Sequence, residues 1–151
     1  MHKIFNMSKL FKTNFDITQV SVVLLLLRIG VAALMLTHGL PKLKMLFAGG
    51  EIQFPGVMGL SPAISLALAV FAEVICSIFL LIGLGTRLAS IPLIITMLTA
   101  VFIVHGNDPF ASQELGLLYL FLYLPLLILG GGKYSADEIL SNNPEPVLAK
   151  N

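Results

Sequence analysis

Four long apolar runs constrain this chain more than any other feature of its sequence. They cover about residues 20–40, 62–84, 88–105 and 114–131. Each is close to the roughly 20 residues that a helix needs to cross the hydrocarbon of a bilayer. Lipid cannot hydrogen-bond an open backbone group, so such runs must be helices, whereas the strands of a β-barrel would alternate apolar and polar residues. The sequence therefore predicts an all-α membrane protein, a four-transmembrane-helix bundle.

The composition supports a lipid environment and excludes some partners. Charged residues make up 11% of the chain, against about 25% in an ordinary soluble domain. A net charge of +1 provides no basic face that would neutralise phosphates, so nucleic acid is not an expected partner. Cys76 is the single cysteine, which rules out an intrachain disulfide and a CxxC redox pair.

The segments that flank the runs complete the predicted organisation. Residues 1–19 mix lysine with apolar residues and are predicted to form an amphipathic segment on the membrane surface. Residues 20–132 form the transmembrane domain, in which Pro41 is expected to end the first helix. Residues 41–61 are expected to be an interfacial loop with a short helical piece, folded back over the bundle. Residues 133–151 form the C-terminal tail.

The distribution of basic residues predicts the orientation in the membrane. An even number of spans places both termini on one side, and the 86–87 turn lies on that side too. This side carries the larger group of basic residues, Lys3, Lys9, Lys12, Arg87, Lys133 and Lys150. The other side carries Lys42 and Lys44. The positive-inside rule then predicts that both termini are cytoplasmic.

Two charged residues lie deep within the spans. Arg28 is about 12 Å from the cytoplasmic end of the first span, and Glu73 is about 16 Å from that of the second, at 1.5 Å per residue. Buried charges in membranes usually face the bundle and have a partner. We therefore expect a buried Arg28–Glu73 ion pair, with either a purely structural or a direct functional role.

A second polar group lies near the outer ends of the helices. His38, His105 and Glu114 each approach the outer membrane boundary, with Lys42 at the rim and Tyr119 as a link to the inner pair. One interpretation is that wet helix ends simply tolerate these residues. The other is a polar pocket for proton transfer or metal binding. The three residues come from separate helices and have no motif spacing, so no metal is predicted.

Several short motifs in this order resemble the DoxX family of small four-span membrane proteins. The resemblance covers about residues 26–140. It rests on Arg28, the run from His38 to Leu43, Glu73, the turn from Gly83 to Ala89, His105, Glu114 with Tyr119, and the closing run from Gly130 to Ser135 with Asp137. It implies a multi-pass protein of the bacterial inner membrane. The family takes its name from a subunit of a thiosulfate:quinone oxidoreductase, and some relatives are linked to membrane complexes that handle thiols and oxidative stress.

Three functions are compatible with these residues. The first, which we favour, is a membrane subunit of a quinone-linked oxidoreductase, with a redox partner subunit. Its candidate catalytic residues are Arg28, His38, Glu73, His105 and Glu114. Its candidate quinone-binding residues are His38, Lys42, His105 and Tyr119. The second is a carrier for a small molecule, metal ion or proton, for which a homo-oligomer would supply further walls. The third is a non-catalytic membrane anchor or assembly subunit.

Overall fold

The protein is all-helical in the computed structural model, which describes residues 16–141 and has no β-strand in that range. Four helices are long and apolar enough to cross a membrane: α1 (Ile17–Phe47), α2 (Pro62–Ile82), α3 (Thr86–Val104) and α4 (Phe110–Leu129). A short helix, α5 (Ala136–Ser141), follows. The predicted all-α fold with four membrane-length helices is confirmed. Residues 1–15 of the predicted surface segment and residues 142–151 of the predicted tail lie outside the described residues.

The four helices close into one bundle. α1 packs on α2 and α4, and α3 packs on the same two helices. Large apolar side chains cover the outside, including Leu26, Leu88, Phe102, Phe121 and Ile128, each more than 60% exposed. An apolar surface of this extent on every helix is matched to lipid rather than to water.

α1 is longer than its apolar run because it continues through Pro41 to Phe47. The expectation that Pro41 ends the helix is therefore wrong. Proline removes one backbone hydrogen bond, and this loss is offset where Leu43 and Leu46 pack against a buried cluster on α2, formed by Leu66, Val70 and Val74. At 1.5 Å per residue α1 is about 46 Å long, well beyond the about 30 Å of hydrocarbon. The helical piece expected in the following loop is the last part of α1.

The loop over residues 48–61 folds back onto the bundle, as the sequence indicated. Ile52 and Phe54 pack against the same α2 cluster. The Val57 amide donates a hydrogen bond of 3.1 Å to the Ser65 hydroxyl. We refer below to this end of the bundle as the loop end, and to the end where α1 begins and α4 finishes as the terminal end.

α2 begins and ends where its sequence indicates. The Ser61 hydroxyl accepts a hydrogen bond of 3.4 Å from the Ile64 amide, and Pro62 occupies the first turn. Gly83 has the left-handed conformation that terminates many helices, with φ of +73°. Between these ends Phe71–Cys76 forms a π-helical turn, a feature that is rare and often found at functional sites. This turn contains Glu73, which is buried.

Polar contacts at the terminal end tie α1, α2 and α3 to the segment after α4. The Arg28 Nη2 donates a hydrogen bond of 2.8 Å to the Tyr134 carbonyl oxygen. The Asp137 carboxylate accepts hydrogen bonds from the amides of Gly85 and Thr86, at 2.6 and 2.9 Å, and so caps the start of α3. The Asp137 amide donates to the Gly83 carbonyl oxygen at 2.9 Å. We call this group, Arg28, Gly83, Tyr134, Ser135 and Asp137, the terminal clasp.

The predicted Arg28–Glu73 ion pair is wrong, because the two residues lie at different levels of the bundle. A Cβ on Gly83 would overlap the Arg28 guanidinium, so Arg28 is level with the end of α2. Ten residues of helix, about 15 Å, separate that level from Glu73. The prediction compared depths measured from the end of each apolar run, which assumes that the two helices end at the same level. α1 extends about three turns beyond the end of α2, so similar depths correspond to different levels of the bundle. Arg28 is therefore part of the terminal clasp, where it donates to the Tyr134 carbonyl oxygen.

Replacing Asp137 by asparagine is expected to lower the free energy of unfolding by about 0.5–2 kcal/mol, the usual value of a helix cap. Burial opposes ionisation of Asp137, but the hydrogen bonds from the Thr86 and Gly85 amides and the charge of Arg28 outweigh it and lower its pKa. The stabilisation is therefore complete above the unfolded pKa of about 3.9 and is lost as pH falls through the lower folded-state pKa.

Unfolding in detergent at neutral and acidic pH checks this. The difference between wild type and Asp137→Asn should shrink once the carboxylate is protonated. The exposed Glu114→Gln serves as the control and should have little effect at neutral pH. A difference that persists undiminished far below pH 3.9 would contradict the ionised cap.

Candidate functional site

A cavity of about 180 Å³ enters the bundle near the loop end. Its exposed lining residues, His38, Ser112 and Leu115, belong to α1 and α4. Buried residues of α2 and α3 form its floor, Glu73, Met97 and Val101. The other lining residues are Met35, Lys42, Ala100, His105, Gly116 and Tyr119. The cavity therefore opens sideways between α1 and α4.

Lys42 and Glu73 form an ion pair at this cavity, with 2.5 Å between Nζ and Oε1. The Glu73 side chain is 2% exposed and the Lys42 side chain 30%. Gly39 makes the pair possible, because a Cβ at that position would lie only 3.0 Å from the Glu73 backbone carbon. Such close contact of two helices requires a small residue. The Phe54 ring lies 5.8 Å from the Lys42 ammonium and covers it from the loop side.

Aromatic rings line the α1–α4 side of the cavity and continue into the bundle. The His38 and Tyr119 rings meet edge to face, with centroids 5.8 Å apart. The Tyr119 and Tyr123 rings are stacked, with centroids 6.1 Å apart. Both geometries are favourable for aromatic pairs. Two tyrosines one helical turn apart therefore connect the cavity to the interior of the bundle.

His105 is held in place at the end of α3. Its Nδ1 lies 2.7 Å from the Asp108 Oδ2, and its carbonyl oxygen accepts a 2.8 Å hydrogen bond from the Gln113 side chain. The last turn before it, Ala100–Val104, is π-helical. The contact with Asp108 leaves Nε2 as the ring nitrogen available to a molecule in the cavity.

Glu114 does not belong to the predicted outer group. It is exposed and does not line the cavity. α4 begins at Phe110, earlier than expected, and Ser112 and Gly116 face the cavity. Glu114 lies two residues from each, about 200° around the helix, and so faces away. Glu73 supplies the cavity carboxylate instead, and His38, Lys42, His105 and Tyr119 join it. Within residues 16–141 no cluster of three or more His, Cys, Asp or Glu side chains has the arrangement of a metal site.

Three polar atoms next to this site have no hydrogen-bond partner among the described residues. They are the Glu73 Oε2, the Ser77 Oγ and the Tyr123 Oη. An unsatisfied buried group costs about 1–3 kcal/mol, so three of them would cost about 3–9 kcal/mol. A typical protein is stable by only about 5–15 kcal/mol. The interior of the bundle is therefore a polar environment at this level.

Some residues of the site were not identified from the sequence. Ser112 and Gly116 on α4 are the clearest cases, and with Tyr119 they follow the i, i+4, i+7 spacing of one helix face. A helical wheel that began at Phe110, before the predicted fourth run, would have grouped them and would have placed Glu114 elsewhere. The pairing of Lys42 with Glu73 has no such local signal, since it depends on how two helices are offset.

This arrangement defines the class of protein: a small α-helical membrane bundle with a polar, laterally open cavity at one end. The chain belongs to the DoxX family, whose model matches residues 23–106. The matched region includes Arg28, His38, Lys42, Glu73 and His105 and stops before α4. A relative from Haemophilus influenzae is 36% identical over 119 residues, which cover 74% of this chain and 86% of the relative. That relative is described as an uncharacterized protein. No solved structure matches the chain.

Proposed function

We propose that this protein is a membrane subunit of a quinone-linked oxidoreductase system and that the cavity binds the ring of a quinone. The observation that supports this most directly is a buried carboxylate paired with a partly exposed ammonium in a laterally open cavity of about 180 Å³. An apolar protein cavity of about 150 Å³ binds benzene. The cavity is therefore large enough for one six-membered ring, while an isoprenoid tail would leave through the α1–α4 opening into lipid.

The lining residues have the chemistry that a quinone requires. Lys42 and His38 carry N–H donors for the two carbonyl oxygens of the ring. The His105 Nδ1–H is directed at Asp108, so its Nε2 can accept a hydrogen bond from a hydroxyl of the reduced ring. A bound quinone supplies redox chemistry that takes up two electrons and two protons. In this proposal a partner redox subunit exchanges the electrons. Glu73 accepts or donates a proton at its carboxylate, and Lys42 stabilises the ionised form.

The proposed location of the protein is the bacterial inner membrane. The bundle lies in the bacterial inner membrane with both termini in the cytoplasm, as the basic residues predict. The cavity then faces the periplasmic half of the bilayer. Lateral access from lipid is the route that a water-insoluble substrate needs.

Binding of short-tailed quinones to purified protein tests the proposal. Isothermal titration with decylubiquinone and with menadione should show binding to wild type. Ser112→Phe should weaken it at least about tenfold, equivalent to about 1.4 kcal/mol, because the added ring occupies the cavity. Ala111→Phe is the matched control, since Ala111 is exposed, adjacent in sequence and outside the cavity lining.

Two results would count against the proposal. The first is a wild-type protein that binds neither quinone in a bilayer or detergent. The second is an equal loss of binding in Ser112→Phe and Ala111→Phe, which would place the quinone on the lipid-facing surface instead of in the cavity.

A further inference from the structure

Three buried polar atoms without a partner among the described residues belong to Glu73, Ser77 and Tyr123, at the cavity floor or one helical turn beyond the lining residues; others, on Arg28 and Thr86, lie at the terminal end. Ser77 follows Glu73 by one turn of α2, and Tyr123 follows Tyr119 by one turn of α4. Ser77 and Tyr123 are both 0% exposed, and Glu73 is 1% exposed. Tyr119 lines the cavity together with Glu73, and its ring stacks on that of Tyr123 with centroids 6.1 Å apart. These polar groups therefore form one buried region that adjoins the cavity floor.

An apolar layer closes this region on the side of the terminal end. Leu80 lies one turn beyond Ser77, and Leu126 lies one turn beyond Tyr123. Leu93 of α3 packs in the same core cluster, and all three leucines are 0% exposed. We call Leu80, Leu93 and Leu126 the leucine layer. Beyond it lies the buried positive charge of Arg28, which repels a proton approaching from that end.

We propose that Glu73, Ser77 and Tyr123 hold buried water that is continuous with the cavity, and that Glu73 exchanges protons only with the loop end. Buried water typically makes about three hydrogen bonds to groups of this kind. The charged and titratable groups that face Glu73 are Lys42 and His38 from α1, His105 from the end of α3, and the two tyrosines of α4. Lys42 and the histidines line the cavity, so the proton route runs through it.

Proton exchange at the loop end alone gives the proposed function a direction. Protons that a cavity ligand takes up or releases come from, or go to, the membrane face at the loop end. That last consequence rests on the proposed function. The water site and the leucine layer do not, and the following experiments contain no quinone, so their failure and a failure of quinone binding are distinguishable.

Proton permeability of proteoliposomes tests the leucine layer. Vesicles with an internal pH-sensitive dye receive an external pH step in the presence of valinomycin and potassium. In vesicles with wild-type protein, the pH gradient should decay at the rate of protein-free vesicles. In vesicles with Leu80→Ser or with Leu126→Ser it should decay about tenfold faster, because a hydroxyl in the leucine layer allows water to connect the two polar regions. Leu118→Ser, at a lipid-facing position that is 53% exposed, should behave like wild type.

Infrared spectroscopy of the Glu73 carboxyl group tests the water site. At acidic pH the carbonyl band of protonated Glu73 is the one that disappears in Glu73→Gln. In wild type this band should shift soon after transfer into D2O. In Ser77→Ala and in Tyr123→Phe the band should lie at higher frequency than in wild type, because the water that hydrogen-bonds the carboxyl group is lost. Tyr134→Phe, at a half-exposed side chain outside the bundle, should leave the band unchanged.

Each experiment has an outcome that overturns the inference. The one-sided seal is contradicted if vesicles with wild-type protein conduct protons. It is also contradicted if vesicles with each of the two leucine variants are as impermeable to protons as protein-free vesicles. A Glu73 band that stays in place in both Ser77→Ala and Tyr123→Phe removes the water site. Two positions are used in each test, so that a variant that fails to reconstitute leaves the other to decide.

Discussion

Replacing Gly83 by alanine is expected to lower the free energy of unfolding by about 2–5 kcal/mol. Gly83 has φ of +73° and ψ of 38°, a conformation that costs an L-residue about 1–2 kcal/mol. Its new Cβ would also overlap the Arg28 guanidinium and the Ser135 side chain. Arg28 is 1% exposed and cannot swing into solvent, so the clasp must distort, and overpacking of this kind adds about 1–3 kcal/mol.

Gly85→Ala separates the two contributions. Gly85 also has positive φ, +56°, but nothing lies within 4 Å of a Cβ built there. It should therefore lose only the backbone term of about 1–2 kcal/mol. Equilibrium unfolding of both variants in mixed micelles measures the difference. A Gly85→Ala loss as large as that of Gly83→Ala would show that the close packing on Arg28 contributes nothing.

Replacing Lys42 by methionine is expected to lower the free energy of unfolding by about 2–4 kcal/mol. Removing one partner of a fully buried ion pair costs about 3–5 kcal/mol, because the other charge is left without compensation. The expected loss of stability for Lys42→Met is smaller than that value because the Lys42 side chain is 30% exposed and water screens part of the interaction. Glu73→Gln should cost less, since Lys42 reaches solvent and the buried site then holds no charge.

The double variant is the sharper measurement. Lys42→Met with Glu73→Gln should be more stable than the sum of the single effects predicts, by about 1–3 kcal/mol, as expected for residues in direct contact. Lys44→Met is the matched control on the same helix, at an exposed position outside the cavity lining, and should change stability by less than about 0.5 kcal/mol. Additive single effects would mean that the two side chains are not coupled.

The sequence predicted most of the local structure. Four apolar runs of membrane length specify helices, because lipid provides no other partner for the backbone. Ser61, Pro62 and Gly83 mark the limits of α2 by the usual rules of capping. The sequence also predicted an outer polar pocket of His38, His105 and Glu114, with Lys42 at its rim and Tyr119 as a link to the inner pair. The cavity is lined by four of these residues, His38, Lys42, His105 and Tyr119, and by Glu73 instead of Glu114.

Tertiary structure alone decided which of these polar residues meet. Glu73 was assigned to Arg28 because both are charged and both lie deep, and it pairs with Lys42 because α1 continues through Pro41 and contacts α2 at Gly39. Arg28 instead joins Tyr134 and Asp137 at the terminal end. Apolarity and length are properties of one segment and can be read along the chain. The offset between two helices is a property of their packed surfaces, and a shift of a few residues exchanges every partner across the contact.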